Sequence, residues 1–202
     1  RIIDADELLI PLFTFGNIML NYHPSAFAFS STLANTVANR TGRFFQTNGV
    51  EFFAWPLASV LSKKIVYIDL PLVICGRTKK SWGSNLVLGN PGKNEIKKYV
   101  DDVDKIPKYA PYRNFTYCNL VAEGLLTAKK LYPKELERYT FDEAQYTIET
   151  MIELTKRKRM GVNVSREIAE VKNYLVKNPA LKQEVLQRQQ LTKKTLWKRV
   201  RS

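Results

Sequence analysis

Along the chain, the spacing of apolar residues changes near residue 90. Before it, short apolar runs alternate with polar turns. After it, apolar residues recur three or four apart, the spacing of helices that bury one face. Residues 18–23 form a short apolar run ended by Pro24, which predicts a strand end or turn. Ser30, Ser31 and Thr32 supply hydroxyls able to cap a helix over 33–40, with Gly42 as its stop. After Phe44, Phe45 and the polar loop 46–49, an apolar helix is expected from near Val50 to Ser62, with Pro56 in or near its first turns. The β-branched run 65–74 is the best strand in the chain, closing on Gly76 and the polar loop 77–85.

Gly89, Asn90, Pro91 and Gly92 mark a break that divides the chain into 1–90 and 91–202. Beyond it, helices are expected over 93–104, 114–131, 134–159 and 165–178, punctuated by Pro or Gly at 107, 111, 133 and 161. In the third of these, Ala144, Ile148, Ile152 and Thr155 recur at helical spacing and predict its buried face. A last segment, 179–202, ends in the basic stretch 193–201.

Composition narrows the picture. Hydrophobic residues make up 45% and aromatics 11% of the 202 residues, enough for a packed core and against wholesale disorder. The longest apolar runs, such as 66–75, are broken by Asp69 and Pro71 and fall short of the roughly 20 residues that span a bilayer. Arg1 leads within a few residues to Asp4, Asp6 and Glu7, which is not the pattern of a secretory signal, and a first residue other than Met hints at a fragment or processed product. Two cysteines, Cys75 and Cys118, make neither a disulfide framework nor a four-ligand metal site, and the single histidine, His23, excludes a histidine-rich one. A cytoplasmic location is the simplest expectation.

The net charge of +13 is placed unevenly. Residues 1–90 carry eight Lys/Arg against five Asp/Glu, and residues 91–202 carry twenty-four against fourteen. Such a surface attracts nucleic acid, anionic lipid or acidic polymers. For the clusters 156–159 and 193–201 the first expectation is solvated helix faces. An anionic membrane surface comes next, since Leu196, Trp197 and Val200 lie among the cations, and would make the protein membrane-peripheral. Nucleic acid comes last, because no recognised motif for it is present.

No Gly-rich phosphate loop, nucleophile elbow or pair of metal-spaced cysteines occurs. What remains is an order of pieces. Tyr22 and His23 end an apolar run, a helix follows, and Thr-Gly-Arg-Phe-Phe at 41–45 precedes Glu51, which opens an apolar helix. The apolar run 71–76 and a Lys-Ser-Trp-Gly loop at 80–83 complete it. This order, over about residues 15–90, resembles the acceptor-side, C-terminal half of bacterial family-2 glycosyltransferases of the GT-A fold.

The resemblance implies an α/β fold: the C-terminal part of a GT-A-type nucleotide-diphospho-sugar transferase sheet over 1–90, then a basic, mostly α-helical extension over 91–202. It implies an enzyme that moves a sugar from a nucleotide-sugar donor to a hydroxyl of a saccharide or other acceptor. By the same analogy Glu51 is the general base that takes the acceptor proton. Arg77, Thr78, Lys79, Lys80 and Ser81 neutralise the departing diphosphate, and Tyr22, His23 and Trp82 shape the acceptor and sugar site. A divalent cation, Mg or Mn, is expected, with its ligands and the donor-binding half outside this chain, which alone is then expected to be inactive.

The same residues have plainer readings. Glu51 suits the first turn of any helix, where the dipole favours a carboxylate. His23 reads as a core or turn residue, Lys79 and Lys80 as a solvated pair, and Trp55 as core, whereas Trp82 is the better sugar-stacking candidate. The competing class is a non-enzymatic basic helical module that binds polyanions, with the first ninety residues as its scaffold.

Overall fold

The computed structural model describes residues 1–16, 27–44, 50–68, 108–114 and 116–201, without the side chains of 50, 51 and 192–201. In chain order these form β1 (Ile2–Ile3), α1 (Ala5–Phe13), α2 (Ser31–Thr41), α3 (Val50–Leu61), β2 (Ile65–Val66), α4 (Tyr117–Leu131), α5 (Pro133–Leu136), α6 (Glu143–Arg159), α7 (Ser165–Lys177) and α8 (Pro179–Arg201).

The expected α/β fold is corrected: among the described residues the architecture is mostly helical, and the sheet is two antiparallel strands of two residues each. Ile2 pairs with Val66 and Ile3 with Ile65, so this ribbon is not part of a GT-A-type sheet. The run that begins at Ile65 has strand propensity but little cover. Val66 is 60% exposed and Ile68 56%, whereas a strand inside such a sheet is buried on both faces. The described partner of this run is the first stretch of the chain, where the Tyr67 amide donates to the Arg1 carbonyl oxygen at 2.7 Å. Residues 69–74, the rest of the expected strand, lie outside the described residues.

The helix signals fared better. The Ser30 hydroxyl accepts the Leu33 amide at 3.2 Å, and α2 stops at Gly42, whose φ of +83° is a left-handed cap that glycine adopts without strain. α3 is apolar on every side because it is covered on every side. Phe52, Phe53, Ala54, Trp55, Leu57 and Ala58 are all buried, and Trp55 packs edge-on against Phe27. Its most extensive neighbour is α4, which brings Val121, Ala122, Leu125 and Ala128 to the same cluster. α1 adds Leu9, Leu12 and Phe13, α6 adds Tyr146 and Leu154, and α7 adds Val171, so this core draws on residues from both sides of residue 90. Each fully buried Leu or Phe contributes about 1.5–3 kcal/mol.

The expected helix 134–159 is broken in two. α5 ends at Leu136, and a new helix starts where the Asp142 carboxylate accepts the Gln145 amide at 2.9 Å. The Asp142 amide itself donates to the Phe13 carbonyl, which ties the break to α1. The predicted face of α6 holds only in its first half. Ala144 and Ile148 pack with Val185 of α8, but Ile152 is 41% exposed and Thr155 faces solvent. The deeper face carries Tyr146, Thr147, Thr150, Leu154 and Arg157 instead, and its polar members leave no apolar periodicity in the sequence.

Candidate functional site

α4 positions the two polar regions of the molecule, one at each end. At its N-terminus the Thr116 hydroxyl accepts the Asn119 amide at 3.1 Å. Glu153 of α6 accepts the amides of Tyr117 and Cys118 at 2.9 and 3.1 Å. These are amides that a helix leaves without an internal partner, and a carboxylate is favoured at that end of the dipole. Glu153 also pairs with Arg157 one turn further along α6.

Asn119, fully buried, joins this end to its surroundings. Its Nδ2 donates to the carbonyl oxygens of Tyr112 and Asn114 at 2.9 and 2.7 Å, and its Oδ1 accepts the Tyr146 hydroxyl. Tyr112 stacks on Tyr146 with ring centroids 5.1 Å apart, and its hydroxyl lies 2.8 Å from Thr147 Oγ1. Burial pushes the Tyr112 phenol up to about 12, and it pushes Tyr146 and the Cys118 thiol up well above their ordinary values. Groups so shifted hold their protons at neutral pH. The hydrogen bonds among Asn119, Tyr112, Tyr146 and Glu153 make this end a joint between helices.

At the C-terminal end of α4 lies an open hollow of about 530 Å³, lined by Tyr109, Leu126, Lys129, Lys130, Pro133, Lys134 and Glu137. The buried Glu123 carboxylate fixes one wall by accepting the amides of Tyr109 and Ala110, both at 2.8 Å. Tyr109 remains 37% exposed, with the Lys108 ammonium 5.3 Å from its ring centroid. Lys129 fixes the other wall, since its ammonium donates to the carbonyl oxygens of Tyr139 and Glu137 just past α5. Lys130 and Lys134 are exposed, and among the described residues neither has a carboxylate within ion-pair reach.

Five arginines are used differently. Arg1 pairs with Glu7, Arg40 with Glu135, Arg138 with Asp6, Arg157 with Glu153, and Arg188 with Asp142 and Glu184. Their planar forks suit carboxylates, while Lys130 and Lys134 stay exposed and hydrated. The cations 156–159 also have a local explanation. They form the last turn of α6, where the helix dipole favours positive charge, and Arg157 turns inward.

Of the residues expected to form a transferase site, Glu51 occupies the first turn of α3, with its side chain outside the described residues. Tyr22, His23, Arg77, Thr78, Lys79, Lys80, Ser81 and Trp82 also lie outside them. Among the described residues, no group of three or more His, Cys, Asp or Glu side chains is arranged to hold a metal, and no helix is long and apolar enough to cross a membrane. No family model, curated protein or solved structure matches the chain. The hollow was missed in the sequence, although its signal was there: Lys129, Lys130 and Lys134 bracket Pro133 at the end of an expected helix.

Proposed function

We propose that this chain is a basic helical module that binds polyanions. The observation that carries this reading is a pair of cations placed at an open hollow. Five arginines pair with carboxylates of the same chain, while Lys130 and Lys134 line the hollow with no such partner among the described residues. Cations held at a surface without counter-charges attract a polyanion and release its condensed counterions on contact.

The test is the affinity of the full chain for a labelled heparin fragment, measured across a salt series. A log–log slope on the order of −3 is expected if a few ammonium groups each displace a counterion. A flat salt response, or no binding at low salt, would sink the reading.

Glycosyl transfer has weaker support, since the sheet it called for is replaced by a two-stranded ribbon among the described residues. Its own test is direct. Turnover of a nucleotide-sugar that vanishes in Glu51→Gln would restore it, and turnover unaffected by that change would remove Glu51 from any mechanism.

A further inference from the structure

The hollow beside α4 is built before any ligand arrives. Glu123 anchors the turn that carries Tyr109, the Lys129 ammonium is tied to two backbone carbonyls, and Pro133 opens α5 with its φ already set. In this fixed frame Lys130, in the last turn of α4 where the helix dipole favours a cation, and Lys134 are exposed and have no carboxylate partner among the described residues. A volume of about 530 Å³ lies in the range of small-ligand sites, roughly 300–1,000 Å³.

Two features argue that what fills the hollow itself is compact, while a longer polyanion would lie across Lys130 and Lys134 at its rim. Glu137 lines the same hollow, so an anionic backbone running through it would meet a like charge, whereas a short ligand can stay among the lysines. Leu126 and Pro133 also give the hollow an apolar part, beside the exposed Tyr109. A bare phosphate would leave that surface uncovered, and a ring bearing phosphates would cover it.

We propose, resting on the polyanion reading above, that the hollow takes a compact ring carrying several phosphates. The phosphates sit on Lys130 and Lys134, and the ring lies over Leu126 and Pro133 against Tyr109. A free phosphorylated polyol and a phosphorylated lipid headgroup present this same chemistry.

The test uses the full chain and two probes. Inositol hexakisphosphate is titrated calorimetrically, and phosphatidylcholine vesicles carrying a phosphatidylinositol bisphosphate are sedimented beside vesicles of equal surface charge made with phosphatidylserine. Each is repeated with Lys130→Ala/Lys134→Ala and with Lys158→Ala/Arg159→Ala, which removes the same charge from the exposed end of α6. Losing a charge-assisted phosphate contact costs on the order of tenfold in affinity, so the first pair should weaken binding by tens-fold and the second by only about twofold. Thermal midpoints confirm that both variants fold.

Binding of the free ester supports the site with a soluble ligand. Binding of the bisphosphate vesicles alone supports it with a lipid headgroup. Equal weakening by both variants, or no preference for the bisphosphate over phosphatidylserine together with no binding of the free ester, overturns the site. If heparin still binds with a steep salt response in that case, the broader polyanion reading stands. If heparin fails to bind as well, both readings fall.

Discussion

At the N-terminal end of α4, Glu153 takes the amides of Tyr117 and Cys118, and Asn119 satisfies two carbonyls and a hydroxyl. At the C-terminal end of the same helix, Lys130 faces solvent beside a hollow and has no carboxylate partner among the described residues. The difference lies in what burial demands. A polar group taken out of water must find a partner inside the protein, so the N-terminal end is closed on itself. A lysine at the surface keeps its hydration and leaves its charge to whatever approaches. The N-terminal end of α4 is closed by partners from its surroundings, and at the other end Lys130 is left to solvent.

Substitutions should break this contrast in a definite order. Asn119→Ala strands the Tyr112 and Asn114 carbonyls and the Tyr146 hydroxyl in the interior, and should cost about 3–5 kcal/mol in chemical denaturation. A loss under about 1 kcal/mol would mean that the joint is not what holds α4. Glu153→Ala removes the acceptor of two helix amides and the carboxylate beside the buried Arg157, for an expected loss of about 2–4 kcal/mol. Glu153→Gln keeps an acceptor for one amide but turns an NH2 toward the other, so it should recover only part of the loss, and full recovery would exclude the carboxylate charge as its source.

Alkaline pH probes the same end. The Tyr112 phenol is pushed up to about 12, first by burial and further by the Glu143 and Glu170 carboxylates, against the lowering hydrogen bond to Thr147. In the unfolded chain it ionises near 10, so proton loss favours unfolding above that value. Its contribution is intact below about pH 10 and should fade toward pH 12, by about 2–3 kcal/mol. Tyr112→Phe should flatten that part of the stability profile, and an unchanged slope would exclude this phenol as its source. The smallest effect belongs to the other end. Lys130→Ala/Lys134→Ala should change unfolding stability by no more than about 0.5 kcal/mol while weakening polyanion binding. A large stability loss would show that these lysines serve the fold after all.

Much of the local structure was legible in the residues. Ser30 and Gly42 marked both ends of α2, the apolar residues from Phe52 to Ala58 marked an apolar helix, and α7 fell within its expected bounds. These signals are short-range, since a cap or a left-handed glycine acts within one turn of the residues that specify it. The break before Asp142 was also written there, as an Asp three residues ahead of Gln145 at the head of a helix, although spacing alone ran the helix through it.

What only the tertiary structure decided was partnership. Ile65 and Val66 have the composition of a strand, but pairing is set by whatever backbone comes alongside, and here that is Ile2 and Ile3 from the far end of the chain. The fates of Lys129 and Lys130 diverged in the same way. The two are adjacent and chemically identical, yet one reaches backbone carbonyls past α5 and the other stays exposed. A charge declares its sign in the sequence; whether it is used inside the fold or left for a partner depends on which groups the packing of α4 and α5 brings within about 4 Å of it.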